Sequence, residues 1–274
     1  MASQKVSLEW YNICMKIAIL GAGAFGTALG GILAEKGHDI DYYDSKVERE
    51  RLTDVLAGAK YIVLAVPSNA VPHLLPYLPK DIPLIVATKG ILNDETFKDF
   101  KDYMILSGPG FADDIKKHKK TLLTATDARI LQLFETDYLH FDYTSDERGV
   151  LMCGALKNVY AILAGYYGLK PRTLLWRLYV RAAAREMQSI LAANGADPRT
   201  VKLACGKGDL RLTCNYPSRN YEYGQMRART TGKYYTKKTV EGLSALSKIR
   251  RHEIILPEDT TIMEQILEES KAWN

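Results

Sequence analysis

The sequence predicts an α/β protein in two parts: a doubly wound parallel sheet covered by helices, then an all-α part. Three observations carry this. Over the first half of the chain, short apolar runs alternate with helix-forming stretches. The runs are apolar at nearly every position rather than at alternate ones, as in strands buried on both faces of a parallel sheet. Beyond about Thr144 the glycine-rich turns thin out and long stretches of helical period take over.

The elements follow in order. Residues 1–14 read as an N-terminal extension, and pattern begins near Met15. Lys16–Leu20 (KIAIL) is a buried strand bounded by glycine, Thr27–Lys36 a helix with one apolar face, and Asp39–Tyr43 a second strand. Tyr61–Val66 and Leu84–Ala87 are two more buried strands, and Met104–Leu106 is a weaker one. The run Lys116–Lys120 (KKHKK) reads as a solvated helix face. Ser145 and Asp146 are capping residues ahead of a helix over Val150–Tyr167. Leu174–Asn194 reads as a long amphipathic helix stopped by Gly195, and Thr260–Ser270 as the closing helix.

Composition narrows the class. The 274 residues are 47% hydrophobic and 25% charged, which excludes a disordered chain, a collagen and a coiled-coil rod. No apolar run reaches the roughly 18 residues needed to cross a bilayer, and residues 1–14 lack the apolar core of a signal peptide, so no membrane insertion is expected. Cys14, Cys153, Cys205 and Cys214 form no CxxC pair and no set with metal-ligand spacing; they read as reduced, mostly buried thiols of a cytoplasmic protein, with no metal. The net charge of +5 hides an asymmetry: residues 1–146 carry 16 basic and 20 acidic side chains, whereas residues 147–274 carry 21 and 12. A basic second half suits an anionic ligand, either nucleic acid or a phosphorylated metabolite. With no RGG tract, zinc-finger spacing or RNP-like motif, the metabolite leads and no nucleic-acid partner is expected.

Gly21-Ala22-Gly23-Ala24-Phe25-Gly26 fits G-x-G-x-x-G between a predicted strand and a predicted helix, the context that gives the motif weight. Gly21 permits the tight turn, Gly23 lets backbone approach a pyrophosphate, and Gly26 lets the helix pack on the strand with its N-terminus at the phosphates. This makes residues 15–143 a Rossmann-type dinucleotide-binding domain, followed by a helical domain over residues 144–274. Asp44 stands 23 residues after Gly21 at the end of the second strand, where a carboxylate accepts from a ribose 2′-OH. Asp44-Ser45 favours NAD; Lys46 and Arg49 further along leave NADP open.

The runs SDERGVLMCGALKNVYAILAGYYGL and GDLRLTCNYPSRNYEYG, taken with the glycine loop, AVPS (Ala65–Ser68), TKG (Thr88–Gly90), GPGFA (Gly108–Ala112) and VEG (Val240–Gly242), resemble the bacterial-type NAD(P)-dependent glycerol-3-phosphate dehydrogenases from about Met15 to the C-terminus. The resemblance implies an oxidoreductase that interconverts dihydroxyacetone phosphate and sn-glycerol 3-phosphate by hydride transfer, feeding glycerophospholipid synthesis. It places Lys157 as the proton acceptor and Lys89 beside both substrate and cofactor. It makes the helical domain, residues 144–274, the substrate-binding one. Gly108, Asp209, Ser218, Arg219 and Asn220 fall at substrate positions, and Asn158 and Thr213 are further substrate-binding candidates. Ala24, Phe25, Ala112, Arg219, Thr239 and Glu241 fall at cofactor positions. Two departures stand out: Gly110 replaces a hydroxyl residue, and the stretch between Asp44 and Tyr61 is short beside the adenosine pocket.

The residue types suit this chemistry. A lysine of ordinary pKa about 10.4 becomes a proton carrier near neutral pH when burial and a second cation such as Lys89 lower it, while a carboxylate such as Asp209 opposes the shift and holds the ammonium. Cys153, Gly154 and Ala161 share the face of Lys157 on a helix and are small, which predicts an open face. Asp209 and Thr213, four apart, face one way on a helix. Ser218-Arg219-Asn220 offers a hydroxyl, a guanidinium fork and an amide to a phosphate monoester. Arg172, Arg177, Arg181 and Arg185 read as surface charge or as the contact of a homodimer. Two other readings are a related dehydrogenase for another hydroxy or keto acid, and a non-catalytic dinucleotide sensor.

Overall fold

In the computed structural model, residues 14–45, 51–91, 93–230, 236 and 239–273 are described. Lys46, Arg49 and residues 1–13 of the extension lie outside them. Seven strands form one sheet: β1 (Lys16–Leu20), β2 (Asp39–Tyr43), β3 (Tyr61–Leu64), β4 (Leu84–Val86), β5 (Tyr103–Ser107), β6 (Thr121–Ala125) and β7 (Leu139–Tyr143). Their order is β2-β1-β3-β4-β5-β6-β7. Every neighbouring pair is parallel except β5 and β6, which run antiparallel with Leu106 opposite Ala125. The parallel sheet expected from sequence is therefore present, with one antiparallel step at β5–β6.

Between the strands lie α1 (Ala24–Glu35), α2 (Leu52–Leu56), α3 (Val71–Leu74), α4 (Ala112–Lys116) and α5 (Ala128–Phe134). The rest is helical: α6 (Glu147–Tyr166), α7 (Leu174–Ala193), α8 (Asp209–Thr213), α9 (Arg219–Ala228), α10 (Glu241–Arg250) and α11 (Thr261–Glu269). The KKHKK run is not a helix face. α4 stops at Lys116, and the chain turns through His118 at φ +53, leaving Lys116–Lys120 exposed.

Strand side chains alternate between two cores, as the pleat requires. Ile17, Ile19, Val63, Ile85 and Met104 pack with α1, α4 and α5. Ala18, Leu20, Ile62, Leu64 and Val86 pack on the other face, in a cluster that includes α2, α3 and the apolar residues of α6 from Val150 to Ala164. The helical part therefore covers one face of the sheet.

α6 starts where Asp146 accepts the Gly149 N–H at 3.0 Å, and every residue from Gly149 to Gly165 is buried. By length and hydropathy α6 is able to cross a membrane, contrary to the count of apolar runs above. However, 94% of its 18-residue apolar window is buried inside the protein, the state of a core helix. α7 starts at Thr173, whose hydroxyl accepts the Trp176 N–H at 3.3 Å.

Candidate active site

Four loops leave the carboxyl ends of β1, β3, β4 and β5, where open parallel sheets bind ligands. The first is the glycine loop. Gly21 has φ +110, and a Cβ there would stand 2.6 Å from the Ala65 carbonyl oxygen, so this turn admits glycine alone. A Cβ on Gly26 would collide with the Gly21 carbonyl, and one on Gly23 would meet nothing within 4 Å. Gly23 opens α1 without a side-chain cap, and Gly23 and Ala24 are exposed. The N-terminus of a 12-residue helix therefore has free amides beside open space, which fits a pyrophosphate. Asp44 follows β2 and accepts the Ala22 N–H at 3.0 Å, so the carboxylate stands directly against the loop.

Lys89 projects from the loop after β4. Its ammonium donates to the Gly108 carbonyl at 3.2 Å, lies 5.4 Å over the Phe25 ring and 3.6 Å from the Asp209 carboxylate. Gly108 itself sits in the left-handed region at φ +144. Gly110 packs against Leu123, and Ala112 is the first residue of α4. Lys89 thus ties the glycine loop, the β5 loop and the helical part together.

Lys157 is 1% exposed, with its ammonium against the Asp209 carboxylate, which is equally buried. The helical placement of Asp209 and Thr213 holds: the Thr213 hydroxyl donates to the Asp209 carbonyl at 2.7 Å and reaches its carboxylate at 3.3 Å. The open face expected around Lys157 is corrected. A Cβ on Gly154 would stand 3.4 Å from the Ser107 hydroxyl of β5, and Cys153 meets Cys205 from the segment before Asp209. Small residues there admit close packing rather than solvent.

Two ammoniums share one carboxylate in this group. Burial, then the neighbouring Lys89 cation, pushes Lys157 well below the ordinary lysine range. Burial likewise lowers Lys89, and the Arg219 guanidinium adds to the shift. Arg219 is exposed at the start of α9, and Ser218 before it is buried. Asn220 donates to the Asn158 amide oxygen at 2.8 Å and accepts the Gly242 N–H at 2.9 Å. Asn158 donates to the Gly154 carbonyl at 3.0 Å, so α6, α9 and α10 are joined by two amides. Burial raises the Glu241 carboxyl, which accepts from the Ser68 hydroxyl at 2.7 Å. Thr239 is exposed two residues before α10.

The sequence reading missed the partnership of Ser68 with Glu241, although Ser68 ends AVPS and Glu241 centres VEG. It also missed Ser244, whose hydroxyl lies 3.3 Å from that of Ser68 one helical turn after Glu241. Asp44 lies at the β2 end of the crevice, and the Lys157 group faces β4 and β5.

The comparisons with known proteins agree with this architecture. The family described as NAD-dependent glycerol-3-phosphate dehydrogenase matches twice, its N-terminal part over residues 16–49 and its C-terminal part over residues 146–270. The glycerol-3-phosphate dehydrogenase [NAD(P)+] of Leptospira biflexa is 33% identical over 264 aligned residues, covering 77% of this chain and 78% of its own. That of Agrobacterium fabrum is 32% identical over 297, covering 88% and 90%. Among solved structures, the glycerol-3-phosphate dehydrogenase of Coxiella burnetii superposes with a TM-score of 0.77 at 22% identity, covering 94% of this chain and 97% of that one, and shows the same fold. With more than three quarters of its length aligned to curated relatives at this identity, the chain belongs to the NAD-dependent glycerol-3-phosphate dehydrogenase family.

Proposed function

We propose that this chain is an NAD(P)-dependent oxidoreductase interconverting dihydroxyacetone phosphate and sn-glycerol 3-phosphate. The observation that carries the reading is the buried Lys157–Asp209 pair, with the half-buried Lys89 beside it, facing the glycine loop across the crevice. The nicotinamide, when bound, supplies or removes the hydride at C2 of the substrate. Lys157 gives a proton to the C2 oxygen during reduction and takes it back during oxidation, its lowered pKa setting it up for both directions. Asp209 holds the Lys157 ammonium in place, and Thr213 holds Asp209. Lys89 brings a second cation to the developing alkoxide and to the substrate.

The phosphate of the substrate binds at the start of α9, where Arg219 provides a bidentate fork with Ser218 and Asn220 beside it, and Gly108 and Asn158 line the same substrate position. Gly21, Gly23, Ala24, Phe25 and Gly26 cradle the dinucleotide, with Ala112, Thr239 and Glu241 toward its nicotinamide end. Residues 15–143 would thus bind the dinucleotide and residues 144–274 the substrate. Asp44 favours NADH over NADPH, because it accepts from a ribose diol and repels a 2′-phosphate. The chain works in the cytoplasm, and the arginine series of α7 is exposed and offers a contact for a homodimer.

The test is direct. Purified protein with NADH and dihydroxyacetone phosphate is expected to oxidise NADH, followed by the nicotinamide absorbance, and unphosphorylated dihydroxyacetone to be a poor substrate. Cofactor binding without turnover would favour a sensor. Turnover with a keto acid but not with the phosphate would favour the other dehydrogenase.

A further inference from the structure

Asp209 is the first residue of α8, and what precedes it is irregular. Residues Ala204–Gly208 form a π-helical turn, with Gly206 outside helical geometry at φ −90 and ψ −106. The two leading amides of this turn are held by side chains of the sheet. The Ala204 N–H donates to the Asp142 carboxylate at 2.8 Å, and the Cys205 N–H to the Thr124 hydroxyl at 2.9 Å. Thr124 on β6 and Asp142 on β7 are direct cross-strand partners, so they stand side by side and meet two consecutive amides. Thr124 is fully buried, and one Asp142 oxygen, Oδ1, is buried without a hydrogen bond. A buried carboxylate oxygen without a donor opposes folding, and it persists here in a residue whose other oxygen caps the turn. A Cβ on Gly206 would strike the Val201 carbonyl, so the turn is also seated against the preceding 3₁₀ turn, Pro198–Lys202.

We infer that Thr124 and Asp142 are positioning residues for the Lys157–Asp209 pair: by holding the leading end of the π-turn against the sheet, they set where Asp209 meets Lys157. This rests on the proposed role of that pair in proton transfer. From its held end the turn runs only four residues to Asp209, whose carboxylate contacts Lys157 on α6 and Lys89 on the β4 loop. An error of about 1 Å in such a group is enough to slow turnover 10²-fold. The groups facing Lys157 are Lys89, Asp209, Cys153 and Cys205, with Arg219 beyond Lys89. Asp209 is the anion among them, and its retreat would leave the Lys157 ammonium less stabilised. The pH midpoint for turnover would then move down.

The test is steady-state kinetics and pH profiles of Thr124→Val and Asp142→Ala, each of which removes one acceptor, against Thr124→Ser and Asp142→Asn, which keep one. Expected are a fall in kcat of about tenfold or more for the first pair, an unchanged KM for NADH, and a pH midpoint displaced to lower pH. The conservative pair is expected to retain at least half of wild-type kcat and its midpoint. If Thr124→Val does not fold, the contrast of Asp142→Ala with Asp142→Asn decides. A lower melting temperature with kcat and midpoint unchanged would overturn the inference and leave only a structural cap. So would an Asp142→Asn variant as impaired as Asp142→Ala. A wild type inactive on dihydroxyacetone phosphate would instead overturn the functional reading.

Discussion

In the proposed mechanism Lys157 carries the proton, and its environment gives a signed expectation. Burial and Lys89 both disfavour the ammonium, so its midpoint lies well below the lysine value of about 10.4. Reduction needs the protonated form, so kcat/KM for dihydroxyacetone phosphate should fall as pH rises through that lowered midpoint. Oxidation of glycerol 3-phosphate needs the neutral form and should rise through it. Lys89→Met removes a neighbouring cation and should move both midpoints up; a downward or absent shift would contradict the coupling. Lys157→Ala should cut turnover at least 10²-fold, the usual loss for a positioned acid–base group, with NADH affinity preserved. Residual activity above about a tenth of wild type would remove it from that role. The lysine was legible in the sequence, through its motif. Its burial was not, because the groups that enclose it come from β4, β5 and the turn before α8, far away in the chain.

At the scale of elements, the crossing of α6 and α9 deserves the next experiment, since α9 brings Arg219 and Asn220 to the crevice. The two helices meet through glycines. A Cβ on Gly224 would collide with the Ile162 carbonyl, and one on Gly165 with the Tyr221 carbonyl. Gly224→Ala is expected to destabilise the protein by about 1–3 kcal/mol, as overpacking does, and to raise the KM for dihydroxyacetone phosphate as α9 shifts. Denaturant titration and kinetics check both; unchanged stability would mean that the helices separate without penalty. Helices α6 and α7 were readable because Asp146 and Thr173 cap them with local hydrogen bonds. Strands β6 and β7 were not, because Thr121, Thr124, His140 and Asp142 break their apolar pattern. Thr124 and Asp142 carry those polar groups to cap a turn some 60 to 80 residues later, a contact no local pattern records. KKHKK was misread because charge density marks solvent exposure but not helix, and the turn at His118 has no sequence signal of its own.

At the scale of the whole molecule, the boundary near residue 144 that the sequence suggests does not divide the core. One face of the sheet, with Ala18, Leu20, Ile62, Leu64 and Val86, is packed in the same cluster as α6, α7 and α10. Residues 15–143 alone would leave on that apolar face only the cover of α2 and α3, exposing an aggregation-prone patch where α6 packs. The isolated fragment should therefore be insoluble or lack protected amides, and a well-dispersed, protected fragment would show that the sheet stands by itself. The intact chain should melt in one transition, and binding at one end should be felt at the other. NADH at a hundred times its Kd is expected to add about 2.7 kcal/mol of stability through the glycine loop. Trp176 lies in α7 and Trp273 just beyond α11, both remote in sequence from that loop. In a Trp10→Phe background their fluorescence should nevertheless report a melting temperature raised by the same amount as far-UV circular dichroism does. Two transitions, with NADH moving only one and leaving the tryptophan signal in place, would mean that the sheet and the helices unfold independently despite their shared core.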